Sequence, residues 1–85
     1  MYRKVDWLRP ADTPILSEIA NLDGRWIKPA SLSLNITYSR YTVADRCRQL
    51  GAQGLLDAHD DVAAYRINDR GQAFLDGDLE PEELA

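Results

Sequence analysis

Apolar positions recur three and four residues apart along most of the chain and alternate near its end, which predicts short helices with a hairpin among them. The first ten residues, MYRKVDWLRP, have no clear period; they read as an arm whose Val5, Trp7 and Leu8 dock onto the domain or onto a partner. A first helix follows. Asp12-Thr13 offers a cap, Pro14 suits the first helical position, and Ile15, Leu16, Ile19 and Ala20 form one stripe. Asn21 to Gly24 stop it, with Gly24 suited to positive φ, and Arg25-Trp26-Ile27 is long enough only for a short strand. Pro29 opens a brief second helix with Ala30, Leu32 and Leu34 available for packing, and Asn35-Ile36-Thr37 turns the chain. Ser39 caps a longer third helix, Ser39 to Leu50, whose stripe is Val43, Cys47 and Leu50 with Ile36 packing from the turn. Gly51 and Gly54 end it.

Leu55-Leu56 leads into a strand through His59, Asp60-Asp61 makes a tight turn, and Ala64 to Ile67 returns antiparallel. Asn68 caps a fourth helix to about Asp76, burying Ala73, Phe74 and Leu75 and ending at Gly77. The tail DLEPEELA adds one more helical turn after Pro81. Two helices joined by a tight turn form a helix-turn-helix, and a hairpin directly after it forms a wing. The expected fold is therefore α+β, mostly α: a winged helix-turn-helix with a three-helix core, a two-stranded wing and an additional C-terminal helix. It is one domain over residues 1–85, with an arm at 1–10 and an acidic tail at 78–85.

Composition narrows the function classes. Eighty-five residues suit one small core, and no apolar stretch approaches the ~20 residues of a membrane helix. One cysteine, Cys47, excludes an internal disulfide, and with one histidine, His59, it leaves no Cys/His zinc cluster. Cys47 is expected as a small core residue and His59 as an exposed strand residue. No catalytic constellation or phosphate-cradling loop appears, so the chain reads as a soluble, cytoplasmic protein, not an enzyme, with no cofactor, metal or small-molecule substrate. The net charge of −4 argues at first against nucleic acid. It is unevenly placed: residues 1–56 carry +3 and residues 57–85 carry −7. Aspartate outnumbers glutamate ten to four and arginine outnumbers lysine eight to two, the bias of a protein adapted to concentrated salt or the chance of a short chain.

The third helix carries the chemistry. Helical steps of about 100° from Val43 put Tyr41, Asp45 and Arg48 on the outward face, Ser39 and Arg40 at the amino end, and Thr42, Arg46 and Gln49 on the flank. A helix of this kind enters the major groove of double-stranded DNA amino end first. Arg40 or Arg48 can donate two hydrogen bonds to a guanine, and Tyr41 can meet a thymine methyl or a phosphate. Asp45 repels phosphate but can accept from cytosine or hold Arg48 in place. The DNA-reading candidates are thus Ser39, Arg40, Tyr41, Thr42, Asp45 and Arg48. The phosphate-contact candidates are Arg25, Lys28, Tyr38, Arg46 and Arg66. A solvated helix face with ordinary charge pairs is the plain alternative.

The runs Trp7-Leu8-Arg9-Pro10-Ala11-Asp12, Gly24-Arg25-Trp26, Tyr38-Ser39-Arg40 with Val43, and Arg46-Cys47-Arg48 resemble a family of small haloarchaeal proteins. So do Gly54-Leu55-Leu56, Tyr65-Arg66-Ile67 and Asp69-Arg70-Gly71 through Leu75. The family is that of the repressor-like winged-helix proteins named after the repressor of the halovirus phi-H, with a broader likeness to MarR-type regulators. The resemblance covers nearly the whole chain. It implies sequence-specific DNA binding, transcriptional regulation that is usually repression, and a cytoplasmic home in a halophilic archaeon. Three positions depart from a DNA-tracking pattern: Thr37 where the turn often has glycine, Asp45 in the reading face, and Asp60-Asp61 at the wing tip. A homodimer is expected from Trp7, Leu8, Leu79 and Leu84, although these can equally pack within one chain. The competing reading is a protein-interaction adaptor that uses its acidic wing and tail against a basic partner.

Overall fold

The computed structural model describes residues 8–77. The expectations for Val5 and Trp7 and for the acidic tail with Leu79, Pro81 and Leu84 lie outside the described residues.

The elements run α1 (Asp12–Ala20), α2 (Pro29–Leu32), α3 (Arg40–Ala52), β1 (Leu56–Ala58), β2 (Tyr65–Ile67) and α4 (Asp69–Leu75). The apolar stripes meet as their spacing predicts: Ile15, Leu16 and Ile19 of α1 face Leu32 of α2 and Val43, Cys47 and Leu50 of α3, with Leu55 and Leu56 closing the cluster. Ile27, Ile36, Tyr65, Ile67, Phe74 and Leu75 pack around its edge. The strands pair antiparallel with Leu56 opposite Ile67, Asp57 opposite Arg66 and Ala58 opposite Tyr65. Arg25-Trp26-Ile27 contributes a single bridge rather than a strand. Ile27 and Tyr65 exchange two backbone hydrogen bonds of 2.9 Å.

Four local expectations are corrected. The first helix starts at Asp12, not after it, and has no side-chain cap. A turn from Arg9 to Asp12, with Pro10 at its second position, leads straight into the helix, and Asp12 faces inward instead of capping. In α2, Leu32 alone of the three apolar side chains is buried. Ala30 is exposed and Leu34 is 84% exposed, because a helical turn shares a face between Pro29 and Leu32 and a two-residue spacing does not. The third helix continues through Gly51 to Ala52. It ends in a Schellman motif: Gly54 takes φ +81°, Leu55 N–H donates to the Leu50 carbonyl, and both leucines are buried. The wing turn is also wider than Asp60-Asp61. The outermost pairing is His59 N–H to the Ala64 carbonyl, and the His59 ring nitrogen Nδ1 accepts from Asp61 N–H.

Thr37 proves no obstacle. No residue of the turn at 33–38 has positive φ, so glycine is not needed there.

Asn68 caps α4, its Oδ1 accepting from Gly71 N–H at 2.8 Å. Gly71 lies so close to the Leu55 carbonyl and Ile67 Cδ1 that a Cβ has no room. This gives a prediction with a decisive sign. Helix propensity alone makes Gly71→Ala stabilising by about 1 kcal/mol, whereas the close approach makes it destabilising by about 1–3 kcal/mol. Urea denaturation should find a lower midpoint for the variant; a higher midpoint would refute this packing.

Candidate nucleic-acid interface

The third helix is held so that one face is free. Ser39 caps it, its Oγ accepting from Thr42 N–H at 3.2 Å, and also lies 3.3 Å from Thr42 Oγ1. Two candidate reading residues, Ser39 and Thr42, are therefore part of the cap that starts the helix. Val43, Cys47 and Leu50 are buried, which leaves Arg40, Tyr41, Asp45 and Arg48 exposed on the opposite side. Arg40 lies 5.2 Å from the centroid of the Tyr41 ring, a ring that is 73% exposed, and also donates to its hydroxyl at 3.3 Å. Arg48 pairs with Asp45 at 3.1 Å. That pair is an exposed i,i+3 contact worth about 0.2–0.5 kcal/mol, so it orients Arg48 without tying it down. Of the two roles open to Asp45, holding Arg48 is the one the free protein displays.

Arg46 behaves differently. Its Nε donates to Asp12 Oδ1 at 2.8 Å and its Nη2 to Oδ2 at 3.0 Å, while Arg9 N–H donates to the same Oδ2 at 2.9 Å. Asp12 has no exposure and the Arg46 side chain only 12%. A group expected on the flank as a phosphate contact is instead the partner of a buried carboxylate. The hydrogen bond to Asp12 raises the Arg46 pKa above its ordinary value despite the opposing effect of burial. Tyr38, another phosphate candidate, is half-buried and packs against the core.

The remaining cations flank the helix. Lys28 is exposed immediately before α2, and Arg25 Nε donates to the Leu22 carbonyl at 3.3 Å. On the wing, Arg66 stacks over Trp26 at 4.4 Å and bonds Asp57 at 3.3 Å, while Trp26 meets His59 edge-on at 4.9 Å. Arg66 thus fastens the hairpin to the Arg25-Trp26-Ile27 segment. Asp60 and Asp61 stand exposed at the tip beside a half-exposed Val62. Among the described residues, no group of three or more His, Cys, Asp or Glu side chains is placed to hold a metal ion. No helix of the described residues is long and apolar enough to cross a membrane.

A family model for the winged helix-turn-helix phage repressor matches residues 1–85. The chain belongs to this family. This protein has relatives in Halobacterium phage phiH and in Haloarcula marismortui. It is 31% identical over 86 residues to the "Repressor protein" of Halobacterium phage phiH, covering 99% of this chain and 97% of that one. Its fold is similar to that in the crystal structure of the PhiH1 repressor-like protein from Haloarcula marismortui, with a TM-score of 0.79 and 26% identity over 95% of this chain and 91% of that chain. The winged-helix expectation and the family resemblance are both borne out. The sources of these relatives are consistent with the halophilic origin suggested by the aspartate and arginine bias. The family assignment supports a DNA-binding regulator.

Two positions escaped the sequence reading. Asp12 was expected as a helix cap, and Trp26 carried no assignment beyond a short strand. An aspartate beside a buried stripe, with an arginine on the flank of the facing helix, was the one available hint of the first. The second had none.

Two predictions follow from the buried pair and its neighbour. Arg46→Ala leaves the buried Asp12 carboxyl without its guanidinium partner, and should cost about 3–5 kcal/mol in urea denaturation. Replacing both, Asp12→Leu with Arg46→Met, should recover much of that loss; an Arg46→Ala midpoint equal to the parent's would show that the pair does not hold the helix. Burial, aided by the nearby Asp12 carboxylate, pushes the Cys47 thiol up to about 12 from 9.0. The folded chain therefore keeps a proton that the unfolded chain releases. The stability this provides is complete below pH 9.0 and is lost as the pH rises towards about 12. Over that window Cys47→Ala should lose stability less steeply than the parent, and equal slopes would contradict the burial.

Proposed function

We propose that this protein is a sequence-specific double-stranded DNA-binding transcriptional regulator, a repressor, that reads the major groove with α3. The observation that carries the reading is the free face of α3, where Arg40, Tyr41, Asp45 and Arg48 stand exposed at the amino-terminal two-thirds of the helix. Arg40 and Arg48 keep their guanidinium groups in weak, exposed contacts that a guanine can replace. Lys28, beside the start of α2, is the phosphate contact that would set the register, with Arg25 as a second. Arg46, Tyr38 and Arg66 act instead through the scaffold, and the wing braces the domain more than it tracks DNA.

One such face addresses only three or four base pairs, too few to specify an operator. The reading therefore includes a homodimer on a two-fold symmetric site, with third helices about 34–36 Å apart or a multiple of that. The relative from phage phiH carries the name repressor, which supports the same direction of regulation. The reading assigns no catalytic step and a cytoplasmic place of action.

The test is selection from random duplexes in molar KCl, followed by sequencing. A symmetric enriched motif with half-sites one helical turn apart is the expected result. Arg40→Ala and Arg48→Ala should each relax preference at one position per half-site by about 1–3 kcal/mol, not weaken all duplexes equally. Unchanged preference in both variants would remove α3 as the reader. No motif at any salt would favour a protein-interaction adaptor that uses its acidic wing and tail.

A further inference from the structure

The outward face of α3 continues past its arginines into an apolar hollow. Pro29 and Ala30 of α2, Tyr41 and Ala44 of α3, and Ala63 of the wing loop wall a space of about 350 Å³, with Lys28 and Arg40 completing the lining. Three separate elements each place an alanine there, so the hollow is a product of the fold and not of one helix. No carboxylate lines it. Its charged groups are both cations, and the Tyr41 hydroxyl already accepts from Arg40. The occupant that suits this chemistry is apolar, lies beside negative charge, and meets the protein along α3.

The major groove offers one such group. Thymine shows a 5-methyl on its groove edge, the only apolar projection among the four bases, with phosphates a short distance away for Lys28 and Arg40. We propose that this hollow seats the methyl-bearing edge of one thymine in each half-site, and that Ala44, with Ala30 and Ala63, determines that preference. The inference rests on α3 being the DNA-reading helix. It gives the wing a part that its acidic tip does not suggest: Ala63 closes the hollow, and neither Asp60 nor Asp61 lines it. A serine at any of the three alanines would strand a hydroxyl against the methyl.

The experiment uses the full chain and the duplex obtained by selection. Each thymine is replaced in turn by deoxyuridine, which removes the methyl and nothing else, and affinity is read by fluorescence anisotropy in molar KCl. One thymine per half-site should respond with about fourfold weaker binding, the worth of one buried methyl group, and the others should not. Ala44→Ser should bring the thymine-to-uracil ratio at that position to about one while leaving the urea midpoint near the parent's. Ala30→Ser and Ala63→Ser provide the same test from the other two walls. A motif without thymine, a motif whose thymines all tolerate deoxyuridine, or a ratio that none of the three variants changes would each overturn the inference and leave α3 as the reader. Failure to select any motif would overturn the reading helix and the hollow together.

Discussion

The arrangement of this molecule depends on a carboxylate placed where water cannot reach it. Asp12 is fully buried, and its two oxygens accept from Arg46 twice and from the Arg9 backbone once. Taking an ion out of water costs several kcal/mol, recovered only if the partner geometry is good. Here a planar guanidinium meets both oxygens, an arrangement with a defined direction. The apolar stripe of Val43, Cys47 and Leu50 attracts α3 to the core but tolerates some rotation, since hydrophobic contact has no preferred direction. The Asp12–Arg46 pair removes that tolerance. With residue 46 drawn inward, steps of about 100° fix residues 41, 45 and 48 outward. The outward face proposed to read DNA is thus set by an interaction on the opposite side of the helix.

The hairpin is fastened by a second polar network with a different geometry. Asp57 accepts from Arg66 and from Asn68; Asn68 also donates to the Gly54 carbonyl and caps α4 through Gly71. Arg66 carries the chain of contacts on to the Trp26 ring. The end of α3, both strands and the start of α4 therefore share one set of hydrogen bonds. This divides the acids of the second half by role. Asp57 belongs to the joint, where it meets Arg66 and Asn68, and Asp60 and Asp61 remain at the tip. Of the acids after residue 56, Asp57 is thus engaged within the domain, while Asp60 and Asp61 stand on its surface.

The helices, the order of elements and the exposed positions of α3 were legible because each follows from a periodic stripe or a local cap. Ser39 and Asn68 cap where a serine and an asparagine before apolar runs should. What could not be read depends on pairs far apart in the chain. Asp12 and Arg46 are 34 positions apart, and neither differs by composition from a helix cap and a surface cation. Tyr38 reads from sequence as a phosphate contact because aromatic residues serve both core and interface, and only the packing decides. Leu34 erred the other way: an apolar residue near a helix was taken for a core residue, but the helix stops at Leu32. The hollow of three alanines had no signal at all, because alanine is unremarkable in each of its elements.

Salt connects the fold to the reading. In concentrated salt the Debye length shrinks to about 3 Å at 1 M, so attraction between a basic surface and phosphates contributes little, and affinity from counterion release falls steeply. The same screening makes Asp60 and Asp61 nearly harmless unless they touch the backbone directly. Under the proposed function, discrimination then comes from contacts made at bonding distance: guanidinium to guanine, apolar wall to methyl. Such contacts lose their value if the helix that carries them shifts by about 1 Å, since supporting groups must hold a site within about 0.5 Å. A surface ion pair would be a poor support under these conditions, because screening weakens it. A buried one is screened much less. The location of Asp12 and Arg46 inside the domain, and of Asp45 and Arg48 outside it, therefore separates the charges that hold the helix in salt from those that, in the proposed function, yield to a base.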